Sequence, residues 1–122
     1  MKTLLLLAAL FSSAVSAAEI DTDRSTFNWK GSKITGSFHE GTVSPKSSNL
    51  TVSDNGIESG EIVMDLTTLT VSDITKETAA AKFIRHMKST DFFNVENFPT
   101  ATLKLNSIEN GEAKANLSVL GQ

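Results

Sequence analysis

Apolar residues fall on every second position in six separate stretches, and no other feature limits so tightly what this chain can fold into. Phe27 and Trp29 alternate with Thr26, Asn28 and Lys30, and Ile34, Gly36 and Phe38 alternate with Thr35, Ser37 and His39. Leu50 and Val52 sit between Asn49, Thr51 and Ser53. The same beat carries Ile62, Met64 and Leu66, then Ala101, Leu103 and Leu105, then Ala113, Ala115, Leu117 and Val119. Successive side chains of a strand point to opposite faces, so each stretch presents one dry face and one wet face. That pattern belongs to antiparallel strands with one solvated side. The punctuation agrees with a meander. Lys30-Gly31-Ser32-Lys33 reads as the first reversal, and Gly41 with Pro45 as a further bend. Asp54-Asn55-Gly56 and Glu109-Asn110-Gly111 carry Asn-Gly, which tolerates the positive φ of tight hairpins.

One segment departs from period two. Residues 75–88, TKETAAAKFIRHMK, contain good helix formers and neither Gly nor Pro. Ala79, Ala80, Phe83, Ile84 and Met87 share one helical face, and Lys82, Arg85 and Lys88 form a basic stripe over much of the rest. Glu77 near the start and Arg85, His86 and Lys88 near the end suit the helix dipole. The pattern therefore predicts an all-β, antiparallel meander of six strands, with one α-helix between the fourth and fifth. Its apolar face must be buried, either by closure into a barrel or by a second sheet. Closure also removes exposed edges.

The first 17 residues have their own logic. Lys2 supplies a positive start, residues 4–11 are apolar, and small residues precede a cut after Ala17. A membrane span needs about 20 apolar residues, and Ser12, Ser13 and Ser16 interrupt this stretch. We therefore expect residues 1–17 to be a signal peptide and residues 18–122 to be one exported domain, periplasmic or secreted, with no transmembrane span in the mature chain. The chain has no cysteine, which excludes disulfides, thiolate metal sites and a cysteine nucleophile. A net charge of −3 speaks against a nucleic-acid partner.

Chemistry-bearing motifs are sparse. His39 and His86 have no partner in the sequence pattern and read as solvent-facing, so no metal site is expected. No serine lies in a Gly-x-Ser-x-Gly elbow, and no glycine loop cradles phosphate. The reading is therefore non-enzymatic, with no catalytic residue. By phase, Trp29, Phe38, Ile62, Met64, Leu66, Leu103, Leu105 and Leu117 face inward. Phe92, Phe93 and Phe98 serve either as a plug at one end of the sheet or as the border of a tunnel. Phase does not separate a packed core from a ligand lining.

Several longer stretches bear a family likeness. Residues 90–105, TDFFNVENFPTATLKL, follow His86-Met87-Lys88-Ser89 and contain Asp91-Phe92-Phe93 and then Phe98-Pro99-Thr100. Trp29-Lys30-Gly31-Ser32-Lys33-Ile34-Thr35-Gly36 precedes Gly41-Thr42-Val43. Ile62-Val63-Met64-Asp65-Leu66 and Leu117-Ser118-Val119-Leu120-Gly121 complete the set. Together they resemble the YceI-like family of exported polyisoprenoid- or lipid-binding proteins, over nearly the whole mature chain. The resemblance implies a lipocalin-like antiparallel barrel with an apolar tunnel. Family members have eight strands; six are counted here, so the sequence reads as cut short at its C-terminus.

The resemblance further implies that Trp29, Phe38, Ile62, Met64, Leu66, Phe92, Phe93, Leu103, Leu105 and Leu117 bind the ligand. That ligand would be an isoprenoid, quinone or fatty-acyl chain, held without a metal or redox cofactor. Apart from the resemblance, the basic stripe of Lys82, Arg85 and Lys88 reads as a solvated helix face or, alternatively, as a transient contact with anionic head groups or a membrane surface near the pocket mouth. The reading from another class is a structural or protein-interaction module whose β-core holds nothing. An exported hydrolase ranks last.

Overall fold

A computed structural model describes residues 15–122. Most of the expected leader, residues 1–14, lies outside the described residues. Six strands form one antiparallel sheet: β1 (Ser16–Ala18), β2 (Phe27–Ser32), β3 (Phe38–Ser53), β4 (Gly56–Asp65), β5 (Thr100–Glu109) and β6 (Glu112–Ser118). A 3-10 turn, Leu66–Thr68, and the helix α1, Glu77–Lys88, connect β4 to β5. The all-β class and the helix between the fourth and fifth strands match the sequence reading.

The strand membership differs from that reading. β3 is one strand of 16 residues and runs through Gly41 and Pro45, where a bend was expected. A bulge at Lys46 explains how: Pro45 pairs with Met64 and Ser47 with Val63, so the inward phase switches from odd positions to even ones. Val43 and Pro45 are buried before the bulge and Leu50 after it. Pro45 costs the ladder little, because β2 ends where Phe27 meets Val43 and β1 begins only at Leu50. Its missing N–H faces the gap between them.

The first reversal also lies further along than expected. Ile34 and Gly36 belong to the β2–β3 turn and not to a strand: the Lys33 amide donates to the Ser37 carbonyl at 2.8 Å, and the Gly36 amide to the Lys33 carbonyl at 2.9 Å. Gly36 takes φ +92°, the left-handed region that a side chain resists. The Asn-Gly turns form as expected, with Asn110 at φ 54° and Gly111 at φ 77°.

β3 is the spine. β4 lines one edge, and β2 then β1 line the other. Beyond the 3-10 turn the chain resumes the lane of β4: the Thr70 amide donates to Thr42 and the Ser72 amide to Glu40. β5 and β6 extend the sheet past β4. Among the described residues the sheet stays open, since β6 pairs only with β5 and β2 only with β3. β1 includes Ser16 and Ala17, so cleavage after Ala17 leaves only the Ala18–Leu50 pair of its ladder.

Two apolar clusters share the inner face. Leu50, Ile62 and Leu105 form one, with Leu103, Ile20 and Ile108 against it. Ile108 reaches the same face as Leu105 because a bulge between Leu105 and Ser107 shifts the phase of β5. Val43, Leu66, Leu69, Val95 and Ala101 form the other, where α1 contributes Ile84 and Met87. Phe27 and Met64 touch both clusters.

Candidate functional site

The second cluster is hollow. A cavity of about 300 Å³ lies between the sheet and α1, and five strands contribute to its wall. β2 supplies Trp29, Lys30 and Gly31; β3, Val43; β4, Met64; β5, Ala101; and β6, Leu117. Leu66 closes it from the 3-10 turn and Leu69 from just after it, Met87 from α1, and Phe93 and Val119 from the flanking turns. Among the described residues, Lys30 is the one charged member of this lining. A wall of this kind rewards an apolar occupant and offers almost no hydrogen bonds.

Local chemistry puts each wall in place. Asp65 ends β4 by accepting from the Thr67 amide at 3.0 Å, which turns Leu66 and Leu69 inward. The Leu66 amide donates to the Pro99 carbonyl at 2.9 Å, fixing the start of β5 beside the end of β4. After α1, Asn94 takes φ 46° and its amide bonds Ser89, while the Phe93 amide bonds Met87 and the Val95 amide bonds Lys88. That wrap returns Phe93 to the cavity and Val95 to the core.

Trp29 is the most constrained wall residue. Its indole N–H donates to the Thr70 carbonyl at 2.9 Å, and its ring lies 6.4 Å from Phe83 with planes 7° from parallel. The Thr70 carbonyl passes directly over Gly41, where a Cβ would meet it at 1.9 Å. Glycine is therefore required at this crossing. Trp29 also borders a polar groove of about 330 Å³ between β2, β3 and Ser72.

Of the ten residues expected to bind ligand, Trp29, Met64, Leu66, Phe93 and Leu117 come together in the cavity wall. Ile62 and Leu105 are buried in the other cluster, and Leu103 packs against it. Phe38 is half exposed beneath the Lys30 ammonium, 4.1 Å from its ring centroid. Phe92 is exposed and meets His86 edge-on, with centroids 4.9 Å apart. The sequence reading did not assign Val43, Leu69, Met87, Ala101 or Val119 to the site. Ala101, Val119 and Met87 were visible on apolar faces, but Leu69 follows a 3-10 turn that no periodicity announces.

The histidines differ from expectation in one respect, since each has a carboxylate partner. His39 Nδ1 lies 2.8 Å from Asp73 Oδ2, and its ring centroid 4.6 Å from that of Phe83. His86 Nε2 lies 3.2 Å from Asp91 Oδ2. The Glu40 amide, and after it the His39 ring, hold the Asp73 carboxyl below the usual carboxylate range. Among the described residues no three His, Asp or Glu side chains converge as a metal site would need. The basic stripe is divided: Lys88 Nζ donates to the Thr67 carbonyl at 2.8 Å, while Lys82 and Arg85 face solvent. No helix among the described residues is long and apolar enough to cross a membrane.

The family model of the YceI-like domain matches residues 19–122. No curated protein and no solved structure gives a significant match.

Proposed function

Because the chain belongs to the YceI-like domain family, we propose that it is an exported binding protein which sequesters or carries a long-chain lipid, such as a polyisoprenoid or quinone, in its apolar cavity. The observation that carries this reading is the hollow cluster itself: about 300 Å³ lined by aliphatic and aromatic side chains, with Lys30 as the only charged residue of the lining among the described residues. At about 30 Å³ for each water-sized group, the space holds roughly ten carbon-sized groups of a chain. Burial of each methylene contributes about 0.8 kcal/mol, so ten give a gross gain of about 8 kcal/mol before the cost of association. Selectivity would then rest on chain length and on what Lys30 meets at the rim. Export is supported by the composition of residues 1–17.

The test is organic extraction and mass spectrometry of the purified protein beside a mock purification. A stoichiometric isoprenoid or acyl species supports the reading. A folded protein that is consistently empty, and that takes up no lipid when offered, overturns it in favour of a packed interaction module.

A further inference from the structure

The tip of the β2–β3 hairpin carries an unexplained apolar residue. Ile34 is fully exposed, at the outermost point of a turn closed by the two backbone bonds between Lys33, Gly36 and Ser37. Phe38 is half exposed on the same hairpin, and the Lys30 ammonium sits over its ring. Residues 27–39 hold Lys30 and Lys33 and no Asp or Glu, within a chain of net charge −3. Two carboxylates stand midway along the hairpin, Glu40 opposite Lys30 and Asp73 against His39, and the part beyond them carries Lys33 with no acid, so this outer part is positive and apolar. Lys30 and Gly31 also line the cavity, which places this tip at its rim.

We propose that the hairpin turn, residues 33–37 with Lys30 and Phe38, is a finger that docks the protein onto an anionic lipid surface with the cavity rim facing the bilayer. Charge complementarity selects that partner. Ile34 and Phe38 enter the acyl boundary, and the lysines snorkel to the phosphates above it. The backbone bonds of the turn hold Ile34 outward, so no conformational change precedes docking. The proposal deepens the lipid-carrier reading and rests on it for the direction of transfer, but not for the docking itself.

The experiment is co-sedimentation of the purified protein, in its natural processed form, with vesicles of phosphatidylcholine alone or mixed equally with phosphatidylglycerol. Binding is expected to the mixed vesicles, to fall with added salt, and to be weak on neutral ones. Lys33→Gln weakens it by roughly fivefold. Ile34→Ser weakens it about tenfold. Neither change touches the core, and circular dichroism confirms the fold. Lys114→Gln, on the β5–β6 hairpin, leaves binding unchanged. Failure of the natural protein to sediment, or equal sedimentation of all variants, overturns the finger. Cavity lipid measured by extraction on the same samples separates the two readings. Lipid in the cavity without vesicle binding removes only the finger; finger-dependent binding with an empty cavity keeps the finger and removes the carrier.

Discussion

Gly41→Ala is the sharpest single perturbation the fold offers. A Cβ at this position would lie 1.9 Å from the Thr70 carbonyl oxygen, 2.7 Å from its carbon and 2.9 Å from Trp29 Nε1. Reaching ordinary contact requires the carbonyl to move by roughly 1.5 Å. Three hydrogen bonds oppose that movement: Thr70 N to Thr42 O at 2.9 Å, Thr42 N to Thr70 Oγ1 at 3.1 Å, and the indole to Thr70 O at 2.9 Å. Overpacking of this kind costs about 1–3 kcal/mol, and each hydrogen bond lost adds about 1 kcal/mol. Reduced freedom of the unfolded chain returns only about 0.4–1 kcal/mol. The net loss is about 2–4 kcal/mol. Urea denaturation followed by fluorescence reads it directly, because Trp29 is the only tryptophan. The midpoint should fall at constant slope, and the native emission should shift to the red as the indole loses its partner. Gly31→Ala is the control, since its Cβ would meet only Trp29 Cζ3 at an ordinary 3.8 Å and should be close to neutral. If Gly41→Ala stays within about 0.5 kcal/mol of the natural protein, with unshifted emission, the crossing is not the constraint we describe.

Three further outcomes follow from the same geometry. Ala101, 2% exposed in the cavity wall, is where a phenyl ring would occupy the space of a ligand. Ala101→Phe should abolish extractable lipid while costing no more than about 1–3 kcal/mol in a urea melt. Affinity for straight-chain acyl probes, measured by displacement of a fluorescent lipid, should rise about fourfold per methylene and level off near ten carbons. Asp73 has a lowered carboxyl pKa in the folded state, so its contribution is present at neutral pH and is lost as pH falls below about 4. Asp73→Asn should therefore flatten the acid limb of a stability-against-pH curve, and an unchanged limb would show that the Glu40 and His39 contacts do not hold in solution.

Where one face of a strand stays wet throughout, the sequence was enough. Ile62 and Met64 on β4, Leu66 just after it, and Ala101, Leu103 and Leu105 on β5 point inward as their phase requires. β3 was harder because the bulge at Lys46 moves the inward set from Val43 and Pro45 to Leu50, so one strand presents two phases. Read from sequence, such a shift looks like a break. Ile34 misled for the opposite reason: it keeps the phase of Phe38 but lies at a turn tip, touching nothing. Phase also gives a side and not a depth. Ile62, Leu103 and Leu105 share the inner face with Met64, yet the helix closes over only one end of that face, and the cavity forms there.

Core and cavity are made of the same residues, and this ties stability to occupancy. Val43, Leu66, Leu69 and Ala101 are at once buried core and cavity wall. Leu117, in the same wall, remains 57% exposed. A lipid chain lying against these residues would supply the apolar neighbours that the protein itself does not. Any ligand that binds the folded state alone stabilises it by RT ln(1 + [L]/Kd), which is about 2.7 kcal/mol at a hundredfold excess over Kd. For a domain of this size that corresponds to a rise in melting temperature of roughly 10–20 °C. Stripping lipid by solvent or detergent exchange should lower the melting temperature, and returning the extracted lipid should restore it. Ala101→Phe should not respond to either step, because its own ring occupies the site. A stripped protein that melts with the untreated one would mean that the inner face is already complete, and the carrier reading would lose its physical basis.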